Sequence, residues 1–289
     1  MPSDTLPGFV IIGAVKGATT WLHHQLQHHP DIFLPAPEPH YFSQDYERGL
    51  DYYRGFFSDA REGQLIGEKS ADYLAHPDAA RRLADVLPEA RLVVQLRDPV
   101  ARAYSDYKML YRRGTVREGP ERYLHPGNRE QPRFLEDGLY ARHLERWLEY
   151  FASEQLAVLL FEDVKQAPVP TVHRICRHIG AREHYADDIG TTPQNDSSDR
   201  FLPMGMRLAL APLKQAVRPL RGNAAFEGMR AMLARAIDYP AMTDDLRDRL
   251  RDYYADDVSR LERIIGRDLS AWKPHAEPAT GAAPIARKA

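Results

Sequence analysis

The chain has 289 residues, 43% of them hydrophobic and 28% charged, with a formal net charge of -2. This suits one large α/β domain or two small ones of ordinary globular composition. The balance argues against bulk nucleic-acid binding, which usually shows as a basic domain, so any anion site must be local. The single cysteine, Cys176, permits no internal disulfide and reads as a small core residue. The opening segment MPSDTLPGFVIIGA lacks a basic region ahead of its strand-length apolar run, so no secretory leader is read there. No apolar run approaches the roughly 18 residues of a membrane span. The expectation is a soluble, cytoplasmic protein without stable membrane insertion.

FVIIGA (9–14) is β-branched and apolar and predicts a strand buried on both faces, as in a parallel sheet. A helix follows from Thr19 to His28, with Trp21, Leu22 and Leu26 on one buried side and Pro30 as its stop. IFLP (32–35) and QLIGE (64–68) read as weaker strands, and 77–87 as a helix. RLVVQL (91–96) is the second strongly buried strand. Asp98 can cap the next helix, 99–112, with Pro99 in its first position. The polar, Gly/Pro-rich stretch 112–133 is long for a loop, a property of functional or disordered segments. Helices at 138–152 and 169–179 flank a further strand, LAVLLF (156–161).

Residues 199–237 carry helical spacing, and RLALAPLKQAVRPLR within them, interrupted by two prolines, reads as a solvated face rather than a membrane-surface helix. A last helix spans 244–265, and the Ala/Pro-rich tail after Pro274 reads as disordered. Alternating strands and helices predict an α/β fold: a parallel sheet flanked by helices on both faces, one domain over 1–273 followed by a tail over 274–289.

GAVKGATTWL (13–22) falls where a strand becomes a helix. There, successive N–H groups converge and the helix N-terminus adds partial positive charge. Gly13 and Gly17 permit tight turns and close ligand approach, Thr19 and Thr20 add hydroxyls, and Lys16 adds a full charge. This is a phosphate cradle by physical logic, but not a Walker A loop. The positions of that motif's final Gly-Lys-Ser/Thr hold Ala18, Thr19 and Thr20, so the usual Mg²⁺-dependent ATP geometry is not specified. The plain alternative is a structural turn with an exposed lysine. A second anion site is read at Arg97, leaving the end of a buried strand, and Ser105, two turns into the next helix. The plain alternative for Arg97 is an ion-pair partner.

Together the two segments resemble the nucleotide-sulfate-dependent sulfotransferases, closest to the branch that holds the heparan sulfate sulfotransferases and related bacterial enzymes. GAVKGATTWL is similar to their 5′-phosphosulfate loop, and RDPVARAYSDY (97–107) to their 3′-phosphate motif with its Arg…Ser pair. EPHYF (38–42) resembles the branch's Glu-x-His-Phe-Phe segment, and GEKSADYL (67–74) its Glu-Lys-Thr-Pro-x-Tyr segment. The four motifs run in order across 9–111; FEDV (161–164) and the final helix ending in DLSAW fit more loosely. Pro37 stands where the branch often has a basic residue, Ser70 and Ala71 replace Thr and Pro, and the paired cysteines of the secreted members are absent.

The resemblance implies a P-loop-like fold and 3′-phosphoadenosine 5′-phosphosulfate (PAPS) as donor, with no metal. Lys16 would hold the bridging and leaving oxygens, while Gly17, Ala18, Thr19, Thr20 and Trp21 surround the 5′-phosphate. Arg97 and Ser105 would read the 3′-phosphate. The general base falls to Glu38, a carboxylate among Pro37, Pro39, Tyr41 and Phe42 and so partly desolvated; His40 is the competing base. Lys69 is a candidate for touching the sulfuryl group or the acceptor. His24 and His28 have metal-ligand spacing but no companion carboxylate or cysteine motif, and read as a surface face. Asp51, Tyr52, Tyr53, Phe56 and Phe57 read as a substrate-side wall. The acceptor, a carbohydrate or other small molecule, has no recognisable code in the loops at 40–60, 112–135 and 185–205. Two rivals stay open: a P-loop kinase with a degenerate loop, and a nucleotide-binding interaction protein without catalysis.

Overall fold

A computed structural model describes residues 6–187 and 237–274. The stretch 199–236 and the tail from 275 onward lie outside them, so the readings placed there carry no structural account. The described chain runs β1 (Phe9–Gly13), α1 (Thr19–Gln27), β2 (Ile32–Phe33), α2 (Leu50–Arg54), β3 (Leu65–Lys69), α3 (Ala79–Val86), β4 (Arg91–Leu96) and α4 (Pro99–Arg113). It continues through α5 (Pro120–Tyr123), α6 (Arg133–Glu136), α7 (Tyr140–Leu148), β5 (Leu156–Leu160), α8 (Phe161–Gln166), α9 (Pro168–Ile179) and α10 (Asp244–Ile265).

The five strands form one sheet in the order β2-β3-β1-β4-β5, and each neighbouring pair is parallel. The period of two sorts the strand residues into two cores. Val10 and Ile12 of β1 and Leu92, Val94 and Leu96 of β4 join the larger core with α3, α4, α7 and α10. Phe9, Ile11 and Val93 face the other way, against α1 and α9, with Trp21, Leu22, Leu26, Val172 and Ile175. Both faces are covered, as the continuous apolar runs predict. Cys176 lies in this second core and is free. Gly67 is required here because a Cβ would lie 2.2 Å from the Phe9 ring.

Asp98 caps α4 as expected, accepting from the Ala101 N–H at 2.7 Å with Pro99 in the first turn. The final helix matches its expected bounds, and among the described residues no helix is long and apolar enough to cross a membrane. Three expectations need correction. The strand expected over 156–161 ends at Leu160, because Phe161 opens α8 directly. The helix expected over 138–152 is the shorter Tyr140–Leu148. The stretch 112–133 is ordered: Pro120 starts α5, Tyr123 and Phe134 pack on Tyr107, and the Tyr107 hydroxyl donates to the Glu118 carbonyl at 2.7 Å.

His143 on α7 adds a pH dependence. Burial pushes its imidazole down to about 4, and Nε2–H donates to the Glu136 carbonyl at 2.8 Å. A histidine held neutral in the fold binds protons more readily when unfolded. Its contribution is therefore complete above about 6.5 and lost as pH falls from there toward 4. Thermal unfolding at pH 7.5 and pH 5 should show a smaller acid loss in His143→Gln than in the parent; parallel losses would contradict this.

Candidate active site

In a parallel sheet the loops after each strand gather at one edge, where α/β proteins bind ligands. Lys16 follows β1, Glu38 follows β2, Lys69 ends β3, Arg97 follows β4 and Phe161 follows β5. The sequence candidates therefore gather at one sheet edge although they are spread between residues 16 and 105. The register ties β1 to β3 at Ile11 and Lys69, and the Ser70 N–H donates to the Ile11 carbonyl at 3.1 Å.

The loop after β1 keeps the form expected of an anion cradle. Helix α1 begins without a side-chain cap: Ala18 sits at its N-cap position in the left-handed region, φ 68°. Lys16 on the other side of Gly17 is also left-handed, φ 67°. Such residues cost about 1–2 kcal/mol each and persist at sites where the surroundings impose them. The N–H groups of Ala18, Thr19 and Thr20 make no backbone bond among the described residues, whereas the Gly17 N–H is spent on the Ala14 carbonyl at 2.9 Å. Gly17 is also required by packing: a Cβ there would lie 2.2 Å from the Gln95 carbonyl oxygen. Burial lowers the Lys16 ammonium below its ordinary value; Asp106 opposes this, and Arg112, Arg97 and Arg113 add to it. Three guanidiniums near one half-buried ammonium make a local electropositive site in a chain of nearly neutral charge.

Beside it, Glu38 is clamped. Lys69 Nζ donates to Oε1 at 2.5 Å and the Ala71 N–H to Oε2 at 3.0 Å. Lys69 is almost buried, while the Glu38 side chain stays 29% exposed. Each carboxylate oxygen retains a lone pair for a further donor. The apolar surroundings expected of Glu38 form only in part: Pro39 is buried, but Pro37 is exposed and Tyr41 and Phe42 turn into the core, and the carboxylate is paired with Lys69. His40 stands next to it, Nε2 4.0 Å from Glu38 Oε2. Its Nδ1 bonds Asp72 Oδ1 at 2.7 Å, and that hydrogen bond raises the imidazole above its usual value. Burial alone would raise Asp72, but donation from His40, Gln44 and Ser43 holds it at about 2.

Arg97 presents its guanidinium 4.8 Å above the Phe161 ring and its carbonyl to the Tyr140 hydroxyl at 2.9 Å. It is half-buried, as is Ser105 in the second turn of α4, and no ion-pair partner of Arg97 is found among the described residues. Trp21 is 4% exposed and packs in the second core, with its indole N–H unpartnered among the described residues.

One expectation is corrected. Tyr53 and Phe57 belong to the buried aromatic core rather than a substrate-side wall, with Tyr53 stacked on Tyr41 at 4.5 Å. His28 is exposed and His24 half-buried on the face of α1, and His28 Nδ1 bonds the His24 carbonyl at 2.9 Å. Two site residues were not read from the sequence. Asp72 lay within GEKSADYL without being singled out. His23 is buried one helical turn beyond Thr19; burial, then the Lys69 charge, pushes it down to about 4. The signal for His23 was that i,i+4 spacing from the phosphate loop. The ligand atoms of Glu38, His40 and Asp72 lie within 4.8 Å of one another, but the Lys69 ammonium already occupies the position of a cation against Glu38.

Comparison with known proteins agrees with this geometry. Residues 6–192 match the sulfotransferase domain family. Mouse heparan sulfate glucosamine 3-O-sulfotransferase 3A1 is 28% identical over 277 residues, covering 92% of this chain and 65% of its own length. Mouse heparan sulfate glucosamine 3-O-sulfotransferase 6 is 33% identical over 63% of this chain and 54% of its own length. This chain also matches 31% of the mouse bifunctional heparan sulfate N-deacetylase/N-sulfotransferase 4, at 28% identity. It thus spans between about a third and two thirds of these relatives. A sulfotransferase structure from Alicyclobacillus acidocaldarius superposes with a TM-score of 0.69 at 28% identity, covering 93% of this chain and 99% of that one. The strand-end cradle, the clamped carboxylate and these matches lead to one conclusion: the chain belongs to the sulfotransferase domain family.

Proposed function

We propose that the chain moves the sulfuryl group of PAPS to a hydroxyl or amine of a carbohydrate or natural-product acceptor, with Glu38 as general base and no metal. One observation carries the reading: the Glu38–Lys69 clamp lies at the same sheet edge as the Lys16 loop, on the adjacent strand end. The uncapped start of α1 fits a 5′-phosphate and the electropositive ring around Lys16 fits a highly charged donor. The names of the heparan sulfate relatives support a carbohydrate acceptor. A reducing, cytoplasmic setting is part of the proposal, supported by a lone buried thiol.

In the transfer, the acceptor oxygen attacks sulfur, a new O–S bond forms and the S–O bond to the 5′-phosphate breaks. The acceptor proton passes to Glu38, and adenosine 3′,5′-bisphosphate leaves with the electron pair. Lys16 and the Ala18–Thr20 N–H groups stabilise charge growing on the bridging oxygen, which preorganised donors do effectively in a site shielded from water. Lys69 holds Glu38 aimed through the bond to Oε1. Glu38 is preferred over His40 because the Asp72 bond favours the protonated imidazole, which cannot accept another proton.

Radiolabelled sulfate from PAPS, screened against carbohydrate and natural-product acceptors in excess chelator, should give labelled product, with ATP inactive as donor. Calorimetry should show tighter binding of adenosine 3′,5′-bisphosphate than of ADP. Mg²⁺-dependent transfer from ATP would replace the reading with a kinase; nucleotide binding without turnover on any acceptor would leave an interaction protein.

A further inference from the structure

Glu68 precedes Lys69 in β3, and the alternation of the strand sends its side chain away from Glu38 and into the larger core. It is completely buried, and among the described residues no cation forms an ion pair with it. Three hydroxyls donate to it instead: Tyr53 to Oε1 at 2.7 Å, Ser70 to Oε2 at 3.0 Å, and Tyr73 to both oxygens at 3.2 and 3.3 Å. Burial pushes this carboxyl up to about 7 against the three donors, a measure of what it costs to keep it there. Two of the hydroxyls accept in turn. Ser70 Oγ receives the His40 N–H at 2.9 Å and Tyr73 Oη the Phe42 N–H at 3.2 Å. His40 is left-handed, φ 50°, at the uncapped start of a short π-helical turn over Tyr41–Asp45, so these N–H groups have no local acceptor.

We propose that Glu68 is a positioning residue that sets the catalytic segment through two relays, Glu68–Ser70–His40 N–H and Glu68–Tyr73–Phe42 N–H. Once ionised, above about pH 7, the carboxylate only accepts, so it draws the hydroxyl hydrogens of Ser70 and Tyr73 to itself. Their lone pairs are then forced toward the backbone of 40–42. The polarity of both relays is fixed from one buried charge, as in other satisfied buried networks. The same strand end supplies Lys69 and the Ala71 N–H to Glu38. Residues 68–73 therefore hold the Glu38–Phe42 segment at both ends: the Glu38 carboxylate on one side of β3, the His40–Phe42 backbone on the other. A glutamine at 68 offers one acceptor and one donor, so one hydroxyl must reverse and present its hydrogen to an N–H.

The consequence for turnover rests on the sulfotransfer reading; the anchoring itself does not. The experiment therefore reads both. Amide hydrogen exchange at His40 and Phe42, followed by NMR in the full chain, is compared across Glu68→Gln, Ser70→Ala, Tyr73→Phe and Tyr53→Phe. Tyr53 donates to the same carboxylate but bonds neither the His40 nor the Phe42 N–H, so its variant controls for loss of a buried hydrogen bond. Glu68→Gln should speed exchange at both amides, Ser70→Ala chiefly at His40 and Tyr73→Phe chiefly at Phe42, while Tyr53→Phe leaves both protected. For sulfate transfer, Glu68→Gln should lower kcat about 10- to 100-fold with the KM for PAPS unchanged, the scale on which misplacement by about 1 Å acts. Folded variants that keep both amides protected, or a Tyr53→Phe protein that exchanges as fast as the relay variants, overturn the proposal. Faster exchange in the relay variants of a parent protein inert toward PAPS would uphold the anchor and remove the sulfotransfer reading instead.

Discussion

Glu38→Gln is expected to lower kcat by roughly 10²–10⁴, the usual share of general-base catalysis, while donor affinity changes little. The substitution keeps shape and one acceptor oxygen, so the clamp from Lys69 or from the Ala71 N–H can persist in part. What it removes is the group that takes the acceptor proton. Donor binding is spared because the cradle over Lys16–Thr20 hangs from β1 and α1 and makes no hydrogen bond to Glu38 among the described residues. His40→Asn should cost less, since Nδ1 is tied to Asp72 and Nε2 lies 4.0 Å from the carboxylate, a place suited to orienting rather than to receiving the proton. Steady-state kinetics on the labelled-sulfate assay measures both. A Glu38→Gln enzyme of near-normal kcat beside a folded but inactive His40→Asn enzyme would transfer the role to the histidine. Loss of donor binding in both would make the segment structural.

Much of this arrangement was legible in the sequence because local patterns carry it. The unbroken apolar runs of β1 and β4 state that both sheet faces are covered, and Asp98-Pro99 states where α4 begins. The Gly-rich turn before Thr19 reads as a candidate anion site from chain order alone. Pairings across the fold were not legible. Lys69 and Glu38 are 31 residues apart, and Asp72 and His40 are 32 apart. Nothing in EPHYF or GEKSADYL says which acid of the second segment turns toward the first. The period of the strand sends Glu68 and Lys69 to opposite sides, so adjacent charged residues take unrelated roles. Tyr53 and Phe57 looked like a substrate wall because aromatic residues after a strand end suit either a pocket or a core; their stacking on Tyr41 decides for the core. Gly17 has a packing requirement that no local pattern announces, since the Gln95 carbonyl lies directly behind it.

Arg97→Ala is expected to weaken adenosine 3′,5′-bisphosphate by about 2–4 kcal/mol, the range for removing one partner of a hydrogen-bonded charge pair, or roughly 30- to 1,000-fold in Kd. The guanidinium is half-buried and held over the Phe161 ring, so the site is built before the nucleotide arrives and little ordering cost offsets the contact. A planar fork can meet a phosphate through two parallel N–H bonds, which an ammonium cannot. Arg97→Lys should therefore recover only part of the affinity although it restores the charge. Ser105→Ala should cost about 1 kcal/mol, the net worth of one hydrogen bond. The decisive quantity is the preference over ADP, measured by calorimetry. If Arg97 reads the 3′-phosphate, its removal collapses that preference and leaves ADP binding nearly unchanged, because ADP has nothing for the arginine to hold. A variant that weakens both nucleotides equally assigns Arg97 to the general field around Lys16, to which its charge contributes. A variant that binds both normally makes it a structural strut between β4, Phe161 and Tyr140, and the 3′-phosphate must then be read elsewhere.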